Sequence, residues 1–270
     1  MQKLYNYGND SLSYIDEGDG PVTILLIHGF GEDNQVWVHQ IAFLSKQYRI
    51  IAPNLPGVHC KPLQMQTNET PGINHYVEIL HALMHDLDIE QYYIMGHSMG
   101  GYIGLAFADY YTNHVQGLGL IHSTTYADNE VKKESRLKIA SFLQAFGTEK
   151  FLETATPSLF GPALKLAHPE QIQQLIDRAS GISSEAMIQF VMAMYKRKAY
   201  THILQQNKIP VLLIAGDADM AVPFEDSMAQ AKLLPPENVI LLKGIGHMGM
   251  LEASQQVSEG ILRFVTNISH

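Results

Sequence analysis

One serine of this chain lies among glycines, at the point where one apolar run ends and another begins. Residues 94–101 read Ile-Met-Gly-His-Ser-Met-Gly-Gly, so Ser98 lies two positions from both Gly96 and Gly100. A serine hydroxyl becomes a strong nucleophile when a neighbouring base takes its proton and a substrate can reach it. A sharp turn from a strand into a helix exposes the serine and leaves room only for small residues two positions away. The Gly-x-Ser-x-Gly spacing therefore predicts that Ser98 is a nucleophile.

The residues that would activate this serine occur late in the chain. His247 follows the last apolar run and has glycines at positions 246 and 249, which suits a histidine carried on a loop. The pKa of a histidine, about 6.5, suits proton transfer near neutrality. Two carboxylates, Asp217 and Asp219, follow the apolar run Val211–Ala215. Either has the chemistry needed to orient a histidine and to stabilise its protonated form, so these residue types predict a Ser-His-Asp triad.

Short apolar runs alternate with longer helical patterns, which is typical of a parallel sheet whose strands are joined by crossover helices. The predicted buried strands are Val22–Ile27, Tyr48–Pro53, Tyr92–Met95, Val115–Ile121, Val211–Ala215 and Val239–Leu242. The predicted helices cover residues 34–46, 72–87, 99–112, 224–234 and 251–267. An alternating pattern in Lys3–Tyr7 and Ser11–Ile15, around Gly8-Asn9-Asp10, predicts an antiparallel hairpin at one edge of the sheet.

The alternation of strands and helices stops between residues 124 and 207, where the pattern is helical throughout. Strand character resumes only at Ile209-Pro210-Val211. We therefore expect a core made of residues 1–123 and 208–270, with a helical lid made of residues 124–207 inserted into it. Some apolar side chains of this lid would line the cleft beneath it.

These features together resemble the α/β-hydrolase family, and in particular its lid-bearing, esterase-like members, over nearly the whole chain. The resemblance implies a mostly parallel eight-stranded sheet flanked by helices, with the lid inserted after the strand that ends near Ile121. It also implies a triad in the order serine, acid, histidine. The acid of the family lies in the register of Asp219 rather than Asp217. We therefore predict Ser98, Asp219 and His247 as the catalytic residues.

The same resemblance predicts an oxyanion hole, a pair of N–H groups that stabilise the negative oxygen of a tetrahedral acyl intermediate. One donor would be the N–H of the residue after the nucleophile, Met99. The other lies in the segment His28-Gly29-Phe30-Gly31, which is similar to the His-Gly-x-Gly segment of the family. This similarity places the Phe30 N–H in the donor position and gives His28 a structural role.

Composition narrows the partners that we expect for this protein. Its 270 residues include 18 Lys and Arg against 27 Asp and Glu, and the net charge of −9 disfavours nucleic acid and anionic membranes. The single cysteine, Cys60, cannot form an internal disulfide or a cysteine zinc site. No leader or bilayer-spanning run is recognised, so we expect a soluble, cytoplasmic protein. His81 and His85, one helical turn apart, have no evident third ligand and predict an exposed helix face rather than a metal site.

The predicted activity is hydrolysis of carboxylic esters of small-to-medium, largely apolar molecules through an acyl-enzyme, without a cofactor or metal. Lid-bearing relatives also include carbon–carbon bond hydrolases, enol-lactonases, cofactor-free perhydrolases and a synthase of menaquinone biosynthesis. The carbon–carbon hydrolases and the synthase act on carboxylates and would need a lid arginine facing the serine, for which Arg136, Arg178 and Arg197 are candidates. A different class is a small-molecule receptor that retains the triad and signals through lid motion. Fold alone does not choose among these functions.

Overall fold

The computed structural model describes residues 2–65 and 69–269. The strands are β1 (Gln2–Tyr7), β2 (Asp10–Glu17), β3 (Thr23–Ile27), β4 (Arg49–Pro53), β5 (Tyr92–His97), β6 (Val115–Ile121), β7 (Val211–Gly216) and β8 (Val239–Leu242). The helices are α1 (Val38–Leu44), α2 (Ile73–Asp86), α3 (Met99–Tyr110), α4 (Glu130–Ala155), α5 (Pro162–Ala167), α6 (Pro169–Ala179), α7 (Ser184–Lys196), α8 (Thr201–Gln206), α9 (Phe224–Ala231), α10 (Gly249–Glu252) and α11 (Ser254–Ser269).

All eight strands form one sheet in the order β1-β2-β4-β3-β5-β6-β7-β8. The pairs β1–β2 and β2–β4 are antiparallel, and every later pair is parallel. Tyr7 pairs with Asp10, so the edge hairpin closes through the two residues Gly8 and Asn9, with Gly8 at a φ of 59°. The eight-stranded, mostly parallel sheet predicted from the sequence is confirmed.

Helices cover both faces of the sheet, which is why its central strands are apolar along their whole length. Leu118 of β6 packs beside Gly104 of α3, whereas the adjacent Gly117 packs beside Phe264 of α11. Successive residues of a strand point to opposite faces, so α3 and α11 lie on opposite sides of the sheet. The strands β3, β5 and β7 are buried throughout, and the segments after their carboxyl ends hold Phe30, Ser98 and Asp219 of the predicted site.

Residues 124–207, all of which the structure describes, contain the five helices α4 to α8 and no strand. We call this part of the chain the helical segment. It leaves the sheet at the carboxyl end of β6 and returns at β7, yet β6 and β7 pair directly, with Leu118 opposite Val211. The long helix α4 changes direction at Gly147, whose φ is 85°, and it packs against α6 and α7. The helical segment therefore lies beside the carboxyl edge of the sheet.

Within the described part of the chain, none of the helices has both the length and the apolar character needed to cross a bilayer.

Candidate active site

Ser98 occupies a strained turn between β5 and α3. Its backbone has a φ of 50° and a ψ of −113°, outside the regions that ordinary side chains favour. A Cβ atom at Gly96 would overlap the backbone of Gly100, and one at Gly100 would overlap the carbonyl oxygen of Ile27. The two glycines are therefore required by close backbone contacts. Ser98 itself is half-buried and lines a cavity, as a nucleophile must to meet a substrate.

Asp219 and His247 come together from the loops that follow β7 and β8. His247 Nδ1 lies 2.8 Å from Asp219 Oδ2, and both side chains are buried. The other carboxylate oxygen, Oδ1, accepts the N–H groups of Ala221 and Val222 at 2.8 and 3.0 Å. Asp217 instead is exposed and accepts the N–H of Gly244 at 2.6 Å. Of the two aspartates left open by residue type, Asp219 is thus the one that contacts the histidine.

The charged form of Asp219 is strongly favoured. Burial alone would raise the pKa of this carboxyl, but His247 and His122 together hold it well below its usual range. An ionised carboxylate accepts a hydrogen bond from Nδ1–H of His247, which leaves Nε2 of that ring free to accept a proton. The electrostatics therefore suit a histidine acting as a general base.

A second histidine, His122, contacts the same carboxylate oxygen and was not predicted from the sequence. It follows β6, has a φ of 49°, and places Nδ1 3.3 Å from Asp219 Oδ2. Burial lowers the pKa of His122 to about 4, so the ring is neutral near pH 7 and donates its Nδ1–H. A Cβ atom at Gly249 would overlap the His122 ring, so the glycine after the His247 loop makes room for it. The position of His122 directly after a buried strand was the available signal.

The cluster of His122, Asp219 and His247 also has the composition of a metal site. One ligand atom from each residue lies within 4.8 Å of the others. Two of these atoms already form the hydrogen bonds of the two rings to Asp219. A cation bound there would have to replace both protons, so hydrogen bonding is sufficient to account for the cluster.

The histidine pair on α2, His81 and His85, differs from the prediction of an exposed helix face. His81 is half-buried, and its ring stacks on Tyr111 at 3.8 Å between centroids.

A buried ion pair between His97 and Glu32, next to the serine turn, was also not predicted from the sequence. His97 Nδ1 lies 3.0 Å from the Glu32 carboxylate, and His97 Nε2 lies 2.9 Å from the His247 carbonyl oxygen. Burial pulls the pKa of His97 down, but Glu32 more than offsets this and the pKa is raised. Because both ring nitrogens face acceptors, the ring is an imidazolium. Glu32 also accepts the Gly29 N–H at 2.9 Å, so one ion pair joins the loop after β3, the end of β5 and the His247 loop.

The predicted oxyanion donors lie on either side of the serine turn. Met99 is the first residue of α3, and Phe30 lies in the loop after β3. Within residues 2–65 and 69–269, neither backbone N–H has a hydrogen-bond acceptor. His28 is buried, accepts the Leu55 N–H at Nε2 and faces the Gly29 carbonyl oxygen with Nδ1, as suits a structural residue. Unpaired N–H groups beside a serine turn are what an oxyanion hole requires.

A cavity of about 430 Å³ joins these groups. Ser98, His247 and Phe30 line one part of it, and Phe151 and Met194 of the helical segment line another. Of the three arginines considered from sequence, Arg136 lines this cavity, whereas Arg178 lies 3.4 Å from Asp33 and Arg197 is buried against Asp128. Cys60 does not line it, and burial raises the pKa of its thiol. The predicted nucleophile and base therefore face one cavity.

Comparisons with known proteins agree with this fold. The chain matches the model of the alpha/beta hydrolase fold over residues 22–254. It is 28% identical over 254 residues to the dihydrolipoyllysine-residue acetyltransferase component of an acetoin-cleaving system from Pseudomonas putida, covering 92% of this chain and 64% of that protein. It is 26% identical over 275 residues to lipase 1 of Psychrobacter immobilis, covering 98% of this chain and 83% of that protein. A thermophilic esterase from Thermogutta terrifontis has a similar structure, with a TM-score of 0.89 and 24% identity over 99% of both chains. The chain therefore belongs to the α/β-hydrolase family.

Proposed function

We propose that this protein is a serine hydrolase that cleaves carboxylic esters through an acyl-enzyme, with Ser98, His247 and Asp219 as its triad. The observation that carries the proposal is the shared cavity: Ser98 and His247 line it together, and His247 is hydrogen-bonded to Asp219 at 2.8 Å. Lipase and esterase relatives support a hydrolytic enzyme. The arrangement needs no cofactor, because the nucleophile, base and oxyanion donors all belong to the chain.

The proposed reaction has two halves with the same proton carrier. His247 takes the Ser98 proton as the serine oxygen attacks the ester carbonyl, and it then gives that proton to the departing alcohol. The Phe30 and Met99 N–H groups stabilise the negative oxygen of each tetrahedral intermediate, typically by about 2.7–4 kcal/mol for one donor. In the second half, a water molecule attacks the acyl-enzyme and His247 removes its proton. His247 then returns that proton to the Ser98 oxygen as the bond between serine and the acyl group breaks and the carboxylic acid leaves. Asp219 keeps its charge throughout and stabilises the protonated histidine.

The helical segment would act as a lid over this reaction. It supplies more than half of the residues that line the cavity, including Ile139, Phe151 and Leu152. Closing apolar side chains over a serine excludes water and strengthens the electrostatic contacts inside. A volume of about 430 Å³ suits small-to-medium substrates, and these apolar walls suit an apolar acyl or alcohol part.

Replacing the nucleophile tests the proposal. We expect Ser98→Ala to lower kcat for 4-nitrophenyl hexanoate by at least about a thousandfold and to abolish labelling by a fluorophosphonate, because no other residue forms the acyl bond. Ser158→Ala, which removes another hydroxyl from the cavity wall, is the matched control and should keep both activities. Circular dichroism checks that each variant is folded. Full turnover by folded Ser98→Ala protein would reject the assignment.

A further inference from the structure

Two cationic side chains line the cavity that contains Ser98. Lys132 and Arg136 lie four residues apart on α4, so they face the same side of that helix. Lys132 Nζ lies 3.4 Å from the carbonyl oxygen of Ala221, which belongs to the loop that carries Asp219. The positive charge is therefore next to the predicted catalytic groups, although the protein as a whole carries a net charge of −9.

The protein neutralises this charge only in part. Asp128 is shared, since Arg136 Nε lies 3.1 Å from Oδ2 and Arg197 Nη1 lies 2.8 Å from Oδ1. In the described residues, Lys132 has no carboxylate within ion-pair distance, and the two terminal nitrogens of Arg136 make no hydrogen bond. Arg136 and Arg197 thus share one buried carboxylate, Lys132 has no ion-pair partner among the described residues, and the two cations that line the cavity keep free donors.

Arg197 is not available to a ligand. Its side chain is only 2% exposed, and its guanidinium lies 4.0 Å from the centre of the Tyr102 ring. It also donates hydrogen bonds to the carbonyl oxygens of Tyr126 and Met194. Arg197 therefore anchors Asp128, and this leaves Arg136 and Lys132 as the cations that face the cavity.

A partly buried cation without a counter-ion is costly, and a bound anion relieves that cost. Burial lowers the pKa of Lys132, and the neighbouring Arg197 and Arg136 lower it further, whereas Asp128 and Asp226 act in the opposite direction. A carboxylate held by both side chains would restore the charge balance and accept the free terminal nitrogens of Arg136, a geometry that guanidinium groups favour. Apolar walls at Ile139 and Phe151 leave room for a hydrocarbon chain next to that anion.

We propose that Lys132 and Arg136 form a carboxylate-binding subsite, and that the preferred substrates are esters carrying a free carboxylate on an apolar chain, such as monoesters of dicarboxylic acids. This inference rests on the proposed ester hydrolysis at Ser98. It adds an anionic group to the largely apolar substrate considered above.

Matched pairs of esters test the subsite. Mono-4-nitrophenyl adipate and suberate carry a carboxylate, whereas 4-nitrophenyl hexanoate and octanoate are neutral esters of the same chain lengths. We expect the wild-type protein to have the higher kcat/KM for the carboxylate esters. Arg136→Gln and Lys132→Met should each reduce that value by roughly ten- to a hundredfold, as the loss of a charge-assisted hydrogen bond predicts. Their kcat/KM for the neutral esters should fall much less, because a neutral chain forms no charge-assisted hydrogen bond with either cation.

Two further variants make the result specific. Arg136→Lys keeps the charge and should retain part of the preference for the carboxylate esters. Lys138→Met removes a cation from the exposed side of the same helix and should change neither substrate class. Equal losses on charged and neutral esters, or a wild-type protein that prefers the neutral members, would overturn the subsite.

A binding experiment separates this inference from the proposed reaction. In Ser98→Ala protein, monomethyl adipate should bind at least about tenfold more tightly than dimethyl adipate by calorimetry, and Arg136→Gln should remove the difference. If the wild-type protein cleaves neither ester class and no fluorophosphonate labels Ser98, the proposed function fails, whereas this binding difference still supports the subsite. Equal binding of the two adipates would overturn the subsite whether or not esters are cleaved.

Discussion

At the scale of single residues, the carboxylate of Asp219 is held from four directions. Two backbone N–H groups bond to Oδ1, and the rings of His247 and His122 both bond to Oδ2. A carboxylate whose two oxygens both accept hydrogen bonds cannot rotate without breaking some of them. In a buried site, each broken hydrogen bond raises the free energy of the folded protein. His122 is therefore a positioning residue in this arrangement: it acts on Asp219, which in turn orients His247.

Removing the His122 ring should loosen Asp219. We expect His122→Ala to lower kcat for 4-nitrophenyl hexanoate by roughly three- to tenfold, because it removes one of the four hydrogen bonds that hold the ionised Asp219 carboxylate. KM should change little, since His122 does not line the cavity. Steady-state kinetics measure both quantities.

His122→Asn is the matched variant, since its amide retains an N–H donor for Asp219 and should recover much of the lost kcat. A folded His122→Ala protein with unchanged kcat would show that the second histidine does not help to orient the acid.

At the scale of secondary structure elements, the short helix α10 supports the loop of His247. The Glu252 carboxylate accepts the N–H groups of Gly246 and Met248 at 3.1 and 3.3 Å, on either side of the histidine. It also accepts the N–H of Gly161, in the helical segment, at 2.7 Å. One side chain thus joins α10, the loop of His247 and the helical segment, so we expect it to set the position of His247.

Replacing this carboxylate tests the role of α10. Glu252→Gln keeps the shape of the side chain but puts an N–H donor where a backbone N–H donor already points, which leaves buried donors unpaired. We expect the free energy of unfolding to fall by about 1–3 kcal/mol and kcat for a nitrophenyl ester to fall severalfold. Urea unfolding and steady-state kinetics measure the two effects.

Glu259→Gln on α11 is the control, because Glu259 is exposed and bonds only to Gln255 in the described structure. Equal effects of the two substitutions on stability and kcat would mean that the Glu252 contacts do not specifically stabilise the His247 loop.

At the scale of the whole molecule, buried histidines link stability to pH. The folded pKa of His122 is about 4, below the value of about 6.5 for an unfolded chain, and burial also lowers the pKa of His28. Both rings therefore take up protons on unfolding when the pH falls below about 6.5, which favours the unfolded state. The raised pKa of His97 has the opposite sign, so its contribution is present below about 6.5 and is lost as the pH rises through its folded pKa.

We expect the free energy of unfolding of the wild-type protein to decrease as the pH falls from 6.5 towards 4. His122→Asn should make this decrease less steep by up to about 1.4 kcal/mol per pH unit, because one fewer proton is taken up on unfolding. Urea unfolding at several pH values measures the slope for both proteins. Parallel curves would show that His122 is not the neutral, buried group inferred from the structure.

The bounds of the strands and helices indicate how far the amino-acid sequence predicts this fold. The bounds of the six buried strands agree with the structure within two residues, because strands covered on both faces leave unbroken apolar runs. Helix ends were harder to predict. The sequence predicts one helix over residues 251–267, whereas α10 ends at Glu252 and α11 begins at Ser254, because local patterns do not resolve a break between two adjacent helices.

Ser98, with its flanking glycines, was recognisable without a structure because a turn too tight for side chains leaves a local mark in the sequence. The contacts of His122, the ion pair of Glu32 with His97, and the surroundings of Lys132 and Arg136 leave no such mark. Each joins residues that are distant in the sequence, and the energy of a buried polar or charged group depends on which partners the folded chain brings within hydrogen-bonding distance. Local composition thus determined the strands and the serine turn. The tertiary structure alone decided which charges are paired, which remain free, and therefore which substrates we expect the cavity to accept.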